Sequence, residues 1–309
     1  MRGVPMKIVV LGAGALGAYF GSRWEQIGEE VTFLVRANRA KQLRENGMII
    51  HSLEGDYAIK SPNVVEDAQE IESADIVLLA VKGYHLQGTL EQLKTLVNKG
   101  AKVLPILNGM EHMTVLQENL GKEAVLGGFS SIISTLDEKG DVVHSSNFHN
   151  LFLGALDPSQ KDICKQLESV SRNANMNVVN SKDILLEMWN KYMFITAFSG
   201  ITTATNFPIG PIINQPETFH IAQKLLEDMR KLANAHHVSL DDTHVEKAVK
   251  TMQGLGDETT ASMHQDRRKG NPLEVEHLQG GALRLAADAG IDLPYIETIY
   301  GIIKPHENL

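Results

Sequence analysis

A glycine-rich turn lies near the start of the chain, where residues 12–17 read Gly-Ala-Gly-Ala-Leu-Gly. The turn follows an apolar run, Lys7–Leu11, and opens a segment with apolar residues at helical spacing, Ala15–Ile27. A G-x-G-x-x-G turn between a strand and a helix is typical of dinucleotide-binding sheets, because the glycines let the backbone turn tightly and approach a pyrophosphate. The alternative is a tight turn that binds nothing. We predict a cofactor site along Gly12, Ala13, Gly14, Ala15, Leu16 and Gly17.

The residue that follows the second predicted strand bears on the choice of cofactor. An NAD site usually has an acidic residue about 20 positions past the glycine turn, where it binds the 2′-hydroxyl of the ribose. In this chain the predicted strand Val31–Val35 is followed by Arg36, with Arg39 close by. A guanidinium binds a 2′-phosphate through charge-assisted hydrogen bonds. We therefore predict NADP(H), the alternative being that Arg36 is a solvated loop arginine.

Two later predicted strands also end in polar residues. Lys82 follows the apolar run Ile76–Val81, and Asn108 follows Val103–Leu107. The carboxyl ends of parallel strands line the ligand crevice of an open α/β sheet, so both side chains are predicted to contact the cofactor. Pro105 cannot donate to a strand ladder, which predicts that its strand is bulged, short or at an edge of the sheet.

The two halves of the chain have different patterns. Strands and helices alternate through the first half, which predicts an α/β, Rossmann-like, doubly wound sheet. Further short strands are predicted at Val125–Phe129, Val142–His144 and Leu151–Gly154. The second half has almost no alternating pattern and reads as all-α. We predict an NADP-binding domain over residues 1–182 and a helical substrate and catalytic domain over residues 183–309.

The composition argues against several other classes of protein. Acidic residues outnumber basic ones, 38 to 29, and no block of Lys and Arg occurs, which argues against a nucleic-acid partner. The single cysteine, Cys164, has no partner for an intrachain disulfide, as is usual in a reducing compartment. Apolar runs are far shorter than the ~20 residues of a membrane span, and no His or Cys spacing matches a metal site. We predict a cytoplasmic protein without membrane or metal binding, whose natural start is Met1 or Met6.

In the second half, Lys191 lies in an apolar helical segment. Ile195 and Ser199 follow at intervals of four residues, which predicts that the three share one face of a helix. Desolvation lowers the pKa of a lysine and suits it to proton transfer; the alternative is a lysine whose stem is buried and whose ammonium reaches solvent. Residues 262–272 read as a polar, basic loop. Glu274 is predicted in the first turn of the next helix, where an acidic residue ordinarily only complements the helix dipole.

Taken together, these residues resemble the 2-dehydropantoate 2-reductase (ketopantoate reductase) family over nearly the whole chain. The matching pieces occur in the family's order. They are the glycine turn with Arg36, Val81-Lys82, Asn108-Gly109-Met110, Trp189 with Lys191, Ser262-Met263, and Glu274 followed by Gly281, Ala286, Gly290 and Pro294.

The resemblance implies NADPH-dependent reduction of 2-dehydropantoate, or of a related 2-oxo acid, to the 2-hydroxy acid. Lys191 would be the general acid that protonates the carbonyl oxygen, and Asn108 would lie between nicotinamide and substrate. The resemblance further implies that Arg36, Lys82, Asn108 and Glu274 contact the cofactor, and that Asn108, Lys191, Ile195, Ser199 and Ser262 contact the substrate.

The chain departs from the family's pattern at three positions. Members usually carry asparagines one and two turns after the lysine, where this chain has Ile195 and Ser199. A third asparagine, before the glycine of a Pro-x-Gly turn, is replaced by Ile209, and the nearest asparagine is Asn206. A hydroxyl buried without a partner costs ~1–3 kcal/mol. We therefore expect a substrate with a more apolar side chain than ketopantoate.

Two other functions fit parts of the same pattern. A 3-hydroxy-acid-type dehydrogenase also pairs a dinucleotide-binding sheet with a helical domain and places a lysine on the first helix after the sheet. A non-catalytic NADPH-binding sensor would retain Lys191 without turnover. The long apolar helices of the second half fit either a homodimer interface or the core of a single chain.

Overall fold

The structure is a computed structural model that describes residues 4–308. The chain divides into two compact units. The first comprises residues up to 107 together with residues 113–184, and the second comprises residues 108–112 together with residues from 185 onward. The domain boundary after residue 182 stays a prediction.

The first unit contains two sheets. Its strands are β1 (Lys7–Leu11), β2 (Glu30–Leu34), β3 (Met48–Ser52), β4 (Tyr57–Ile59), β5 (Val64–Val65), β6 (Ile76–Leu79), β7 (Lys102–Pro105), β8 (Gly127–Leu136), β9 (Val142–Gly154) and β10 (Asn177–Asn180). The first five helices of the chain are α1 (Ala15–Gln26), α2 (Ala37–Asn46), α3 (Leu90–Asn98), α4 (Glu111–Leu120) and α5 (Lys161–Ser171).

The first sheet is parallel, with the strand order β5-β2-β1-β6-β7, so the Rossmann-like fold is confirmed. The strand order reverses at β1, which lies between β2 and β6, and ligands of such sheets bind at that reversal. All four residues of β6 are buried, as its continuous apolar run requires. Pro105 lies in the edge strand β7, where its missing N–H costs no ladder bond.

The sequence patterns predict only part of the second sheet. The three short strands predicted between residues 125 and 154 belong to one long antiparallel hairpin of β8 and β9, with a register shift between Ile132 and Ser134. Strands β10 and β3 pair parallel to β9, and β4 pairs antiparallel to β3. The irregular register interrupts the alternation of apolar and polar residues, so the sequence showed only fragments of each strand.

Helix α1 packs against strands of both sheets and so fixes the glycine turn that precedes it. Its side chains Tyr19, Phe20 and Trp24 are completely buried. Two polar atoms on these rings are satisfied, because the Tyr19 hydroxyl lies 2.7 Å from His149 Nδ1 and Trp24 Nε1 donates to Ser171 Oγ at 2.7 Å. The start of α1 is therefore held by a packed and hydrogen-bonded core.

The described part of the second unit contains helices and no strand, so the all-α prediction is confirmed. The helices are α6 (Ile184–Thr205), α7 (Ile209–Ile213), α8 (Pro216–Ala235), α9 (Asp242–Gln253), α10 (Ser262–Lys269), a π-helix (Glu276–Gly280), α11 (Gly281–Asp288) and α12 (Pro294–Ile303). Among residues 4–308, no helix has the length and apolar composition that crossing a bilayer requires.

The prediction of a loop over residues 262–272 is wrong for residues 262–269, which form α10. The helix buries only Met263 and His264, so its sequence is nearly all polar and lacks a helical apolar stripe. It ends at Gly270, which adopts a left-handed φ of +67°, and basic residues in its last turn complement the helix dipole.

Candidate functional site

The three glycines of the turn have distinct structural roles. Gly12 has φ +98°, and a Cβ there would lie 2.8 Å from Val81 Cγ1. A Cβ on Gly17 would overlap the carbonyl oxygen of Gly12, so only glycine allows this close packing of turn and helix. By contrast, a Cβ on Gly14 would meet no protein atom within 4 Å. The space at Gly14 is open toward a ligand.

The start of α1 can accept an anion. Gly14 is the N-cap residue, no side chain caps the helix, and the first turn contains no acidic residue. The first N–H groups of a helix lack intrahelical partners and carry the positive end of the dipole. Arg39 stabilises the glycine turn, because its Nε donates to the carbonyl oxygen of Ala13 at 3.0 Å.

Arg36 and Lys82 follow the two strands that flank β1. Arg36 is the exposed N-cap residue of α2, and Lys82 is the partly buried N-cap residue of a 3₁₀ turn, Gly83–His85. Burial lowers the pKa of His85, and the positive charge of Arg36 lowers it further, so Arg36 lies close to the turn that follows Lys82. The fold therefore brings Arg36 and Lys82 to the same end of the parallel sheet, where its strands have their carboxyl ends.

Lys191 lies in α6, within the second unit. Its side chain is partly buried, and its neighbours Trp189 and Tyr192 are 4% and 1% exposed. Burial lowers the pKa of Lys191 to about 8, while the charge of Glu274 opposes that shift. Glu274 is itself buried, with 6% of its surface exposed. The structure thus brings Lys191 and Glu274 into electrostatic contact, although 83 positions separate them in sequence.

Asn108 is placed by the glycine that follows it. Gly109 has φ +95°, and a Cβ there would lie 2.7 Å from the carbonyl oxygen of His277. The backbone at Asn108-Gly109 therefore lies directly against the π-helix Glu276–Gly280, which begins two residues after Glu274. A left-handed φ and a close backbone approach both require glycine at this position.

Two hydrogen bonds join α6 to adjacent residues at the centre of the π-helix. The Tyr192 hydroxyl donates to the carbonyl oxygen of Leu278 at 2.7 Å, and Gln279 Nε2 donates to that of Thr196 at 2.9 Å. Tyr192 directly follows Lys191 in the chain. Lys191, Glu274 and Asn108 are consequently held around one helical turn of the second unit, and π-helical turns are frequent at functional sites.

The remaining predicted residues lie toward the other end of α6. Ile195 is partly exposed, whereas Ser199 is completely buried, because successive steps of four residues rotate by about 40° around a helix. Ile209 is also completely buried, and its N–H donates to the carbonyl oxygen of Thr259 at 3.0 Å. Ser262 is exposed in the first turn of α10.

Helix α10 is attached to the C-terminal end of α6. His264 Nε2 lies 3.1 Å from Asn206 Oδ1, and Arg267 donates to the carbonyl oxygens of Thr203 and Ala204. Asn206 has a left-handed φ of +57°, which asparagine tolerates better than most residues. The structure therefore connects the helix of Ser262 to the helix of Lys191.

Sequence reasoning missed the residues that support this arrangement. The π-helix has no recognisable sequence pattern, since its one extra residue per turn leaves no periodic trace in five positions. Arg284 binds Glu111 and Glu276, and nothing in a single sequence pairs residues 173 positions apart. The glycine that directly follows Asn108 is a signal in the sequence that the backbone at this position could be strained or crowded.

The residues 4–308 contain no cluster of three or more His, Cys, Asp or Glu side chains that could hold a metal ion.

Comparison with known proteins identifies the family. The sequence model of the family described as ketopantoate reductase PanE/ApbA matches residues 8–158. The family model of the ketopantoate reductase C-terminal domain matches residues 183–307. The chain belongs to the ketopantoate reductase family. Members of this family are oxidoreductases that reduce 2-oxo acids with NAD(P)H.

Individual relatives cover nearly the whole chain. The uncharacterised oxidoreductase YkpB of Bacillus subtilis (strain 168) is 33% identical over 98% of this chain and 99% of its own. The structure of 2-dehydropantoate 2-reductase from Geobacter metallireducens GS-15 is 26% identical, with a TM-score of 0.89 over 97% of this chain and 99% of that one. D-mandelate dehydrogenase with NADH and anilino(oxo)acetate is 21% identical, with a TM-score of 0.88 over 98% of both chains. The last likeness shows the fold alone.

The chain's own residues fit the nicotinamide dinucleotide that the family uses. The open space at Gly14 and the uncapped start of α1 suit a pyrophosphate, which needs close backbone approach and free N–H donors. Arg36 and Lys82 provide positive charge after the two strands that flank β1.

Proposed function

We propose that the chain catalyses the NADPH-dependent reduction of 2-dehydropantoate, or of a related 2-oxo acid, to the 2-hydroxy acid. The observation that carries this proposal is the partly buried Lys191, with a pKa of about 8, interacting with the buried Glu274. Such a lysine holds its proton at neutral pH and releases it more readily than an exposed lysine does.

In this reaction Lys191 is the general acid. Its Nζ donates a proton to the carbonyl oxygen, and its positive charge stabilises the negative charge that develops there. The cofactor, when bound, supplies the hydride for the carbonyl carbon. Lys191 is left neutral and regains a proton from solvent before the next turnover.

Asn108 and Glu274 position the reactants. The Asn108 amide can donate and accept hydrogen bonds at once, which suits a place between nicotinamide and substrate. The Glu274 carboxylate accepts hydrogen bonds from ribose hydroxyls and favours the protonated form of Lys191. Both residues are held by the π-helix, so their geometry is preorganised.

Ser262 binds the substrate carboxylate in this proposal. It lies in the first turn of α10, where no side chain caps the helix and no acidic residue occurs. Ser262 and the N–H groups around it therefore offer donors and a positive dipole to an anion. Ile195 and Ser199 complete the substrate site, and Ile195 presents an apolar surface where an amide would bind a hydroxyl. We infer that the preferred acid has an apolar side chain.

The cofactor of this proposal is NADPH. The glycine turn binds the pyrophosphate, and Arg36 and Lys82 bind the 2′-phosphate. Replacing Arg36 by aspartate should lower kcat/KM for NADPH by about tenfold or more, because a charge-assisted hydrogen bond is worth ~1.5–3 kcal/mol. The value for NADH should rise or remain unchanged. A variant that keeps its preference for NADPH over NADH would show that Arg36 does not bind the 2′-phosphate.

The test of the function is oxidation of NADPH in the presence of ketopantoate and a panel of 2-oxo acids with side chains of graded size and polarity. We expect the highest kcat/KM with an apolar acid. The variant carrying both Ile195→Asn and Ser199→Asn should gain activity toward ketopantoate. Binding of NADPH without turnover of any acid would instead identify a sensor. Oxidation of 3-hydroxy acids with NADP+, without reduction of any 2-oxo acid, would identify a dehydrogenase of that type.

A further inference from the structure

Arg284 makes a set of contacts that neither the sequence pattern nor the proposed chemistry assigns. It lies in α11, and its Nε and Nη2 donate to Glu111 Oε1 and Oε2 at 2.6 and 2.8 Å. Its Nη1 donates to Glu276 Oε2 at 2.8 Å, and its Nη2 also donates to the main-chain oxygen of Glu276 at 2.6 Å. We call Arg284, Glu111 and Glu276 the Arg284 network.

The network joins two short segments that each carry a proposed site residue. Glu111 lies three residues after Asn108, and Glu276 lies two residues after Glu274. The segment of residues 108–112 belongs to the second unit although it is far from the rest of that unit in sequence. Its contacts there include the packing of Gly109 against His277 and the paired hydrogen bonds of Glu111 with Arg284.

The charges in the network are strongly coupled. The hydrogen bonds with Glu111 raise the pKa of Arg284 despite its partial burial, with a further contribution from Glu276. Partial burial of Glu276 raises its pKa, but hydrogen bonds from Lys304, Tyr300 and Arg284 outweigh that effect and lower it to about 2. Arg284 and Glu276 therefore stay ionised through the neutral range. Removing Arg284 would leave Glu111 without the fork that fixes its orientation.

We propose that Arg284 is a positioning residue for the reaction. By binding Glu111 and the first residue of the π-helix together, it fixes Asn108 relative to Glu274. The role is geometric rather than a source of stability, because the Arg284 side chain is 46% exposed and exposed ion pairs contribute little to folding. Small displacements of positioning groups lower rates strongly, by up to about 100-fold for 1 Å. This proposal rests on the proposed function for its catalytic consequence, and on the contacts alone for its structural one.

The test compares Arg284→Met with a matched control, Arg230→Met. Arg230 also forms an ion pair in the second unit, with Asp242 at 2.9 Å, and its side chain is 33% exposed. We expect Arg284→Met to lower kcat by about 10- to 100-fold. The KM for the 2-oxo acid should change less than kcat does, because the network does not bind Ser262, the residue proposed to bind the substrate carboxylate. The Tm should fall no further than in Arg230→Met.

Two further measurements keep the proposal falsifiable. Glu111→Gln removes the other end of the paired hydrogen bonds, so Arg284→Met with Glu111→Gln should be no slower than the slower single variant. In the chain without cofactor, amide hydrogen exchange over residues 108–112 should be faster in Arg284→Met than in Arg230→Met. A kcat equal to that of the unchanged chain, or fully additive losses in the double variant, would overturn the proposal.

The outcomes separate this proposal from the proposed function. If the unchanged chain reduces none of the acids, the function fails and the positioning proposal is judged by hydrogen exchange and NADPH affinity. Faster exchange over residues 108–112 with weaker NADPH binding in Arg284→Met supports it. Unchanged exchange in that segment overturns it, whatever the activity.

Discussion

Lys191 experiences two opposing effects on its pKa. Burial disfavours the ammonium form, and the nearby carboxylate of Glu274 favours it, with burial the larger effect. The result is an ammonium group that is mostly charged at neutral pH but releases its proton at a lower pH than an exposed lysine does. Two residues far apart in the sequence therefore set one chemical property.

The pH dependence of kcat should follow the ionisation of Lys191. Because the protonated form is the donor, kcat should be constant at lower pH and fall about tenfold per unit as the pH rises above about 8. Glu274→Gln removes the charge that raises the pKa, so the fall should begin at a lower pH. Steady-state rates across a pH series measure both profiles.

Glu227→Gln is the control for that experiment, because Glu227 pairs with Lys224 and its profile should match that of the unchanged chain. A rate that rises through the same range would contradict the role of Lys191 as general acid. So would identical profiles for Glu274→Gln and the unchanged chain.

At the scale of single elements, the glycine turn contains two glycines that should respond differently to substitution. Gly14→Ala meets no protein atom and keeps an extended φ of −73°, so the free energy of unfolding should change by less than about 0.5 kcal/mol. The added methyl group fills the space that a pyrophosphate needs, so NADPH should bind at least about tenfold more weakly. Thermal unfolding and NADPH titration measure the two effects.

Gly17→Ala provides the contrast. Its methyl group would overlap the carbonyl oxygen of Gly12, so overpacking should destabilise the fold by about 1–3 kcal/mol. Equal loss of stability in the two variants would contradict the open space at Gly14, and unchanged NADPH affinity in Gly14→Ala would mean that this space is not a ligand site.

The contact between Gly109 and the π-helix gives a second prediction at this scale. Gly109→Ala combines a left-handed φ with a Cβ 2.7 Å from the carbonyl oxygen of His277. Gly290→Ala has a similar φ, +67°, but its Cβ would meet nothing within 4 Å. Both variants should lose about 1–2 kcal/mol from backbone strain. Only Gly109→Ala should also lose activity, as kcat measurements on the two purified variants would show.

The elements differ in how much of them the sequence could predict. Four of the five strands of the parallel sheet are predicted from apolar or β-branched runs, whereas β5 has only two residues and gives no pattern. The edge position of Pro105 is one of the three alternatives that the proline allows. Helix α10 was missed because its short buried face gives no apolar stripe. Lys191 and Ile195 are partly buried whereas Ser199 is completely buried, a difference that a spacing of four residues does not reveal because it rotates by about 40° around a helix at each step.

At the scale of the whole molecule, the two halves of the chain were predictable as classes but their contents were not. Alternating strands and helices indicated one class and continuous helical spacing the other. The placement of residues 108–112 with the helical unit depends on contacts between segments distant in sequence, and a single sequence does not encode such pairs in any local pattern. The candidate site residues can be identified from the sequence, whereas the contacts of the Arg284 network can be identified only from the structure.

The single cysteine allows the integrity of the first unit to be followed directly. Cys164 is 1% exposed, and burial raises the pKa of its thiol to about 11. Thiolate is the reactive form, so alkylation of the native chain at neutral pH should be at least about 100-fold slower than alkylation of the unfolded chain. In increasing urea, labelling should begin where the first unit unfolds. Rapid labelling without denaturant would contradict the burial of Cys164 in α5.

The π-helix also limits how the sequence can change by insertion or deletion. A π-helical turn is an α-helical turn with one residue added, so deleting one residue between Glu276 and Gly280 would return the segment to the ordinary repeat. Every later side chain in that helix would then rotate by about 100°, and Arg284 would face away from Glu111. The length of this segment is therefore under stronger constraint than its composition, and a one-residue deletion there should be tolerated less well than most substitutions.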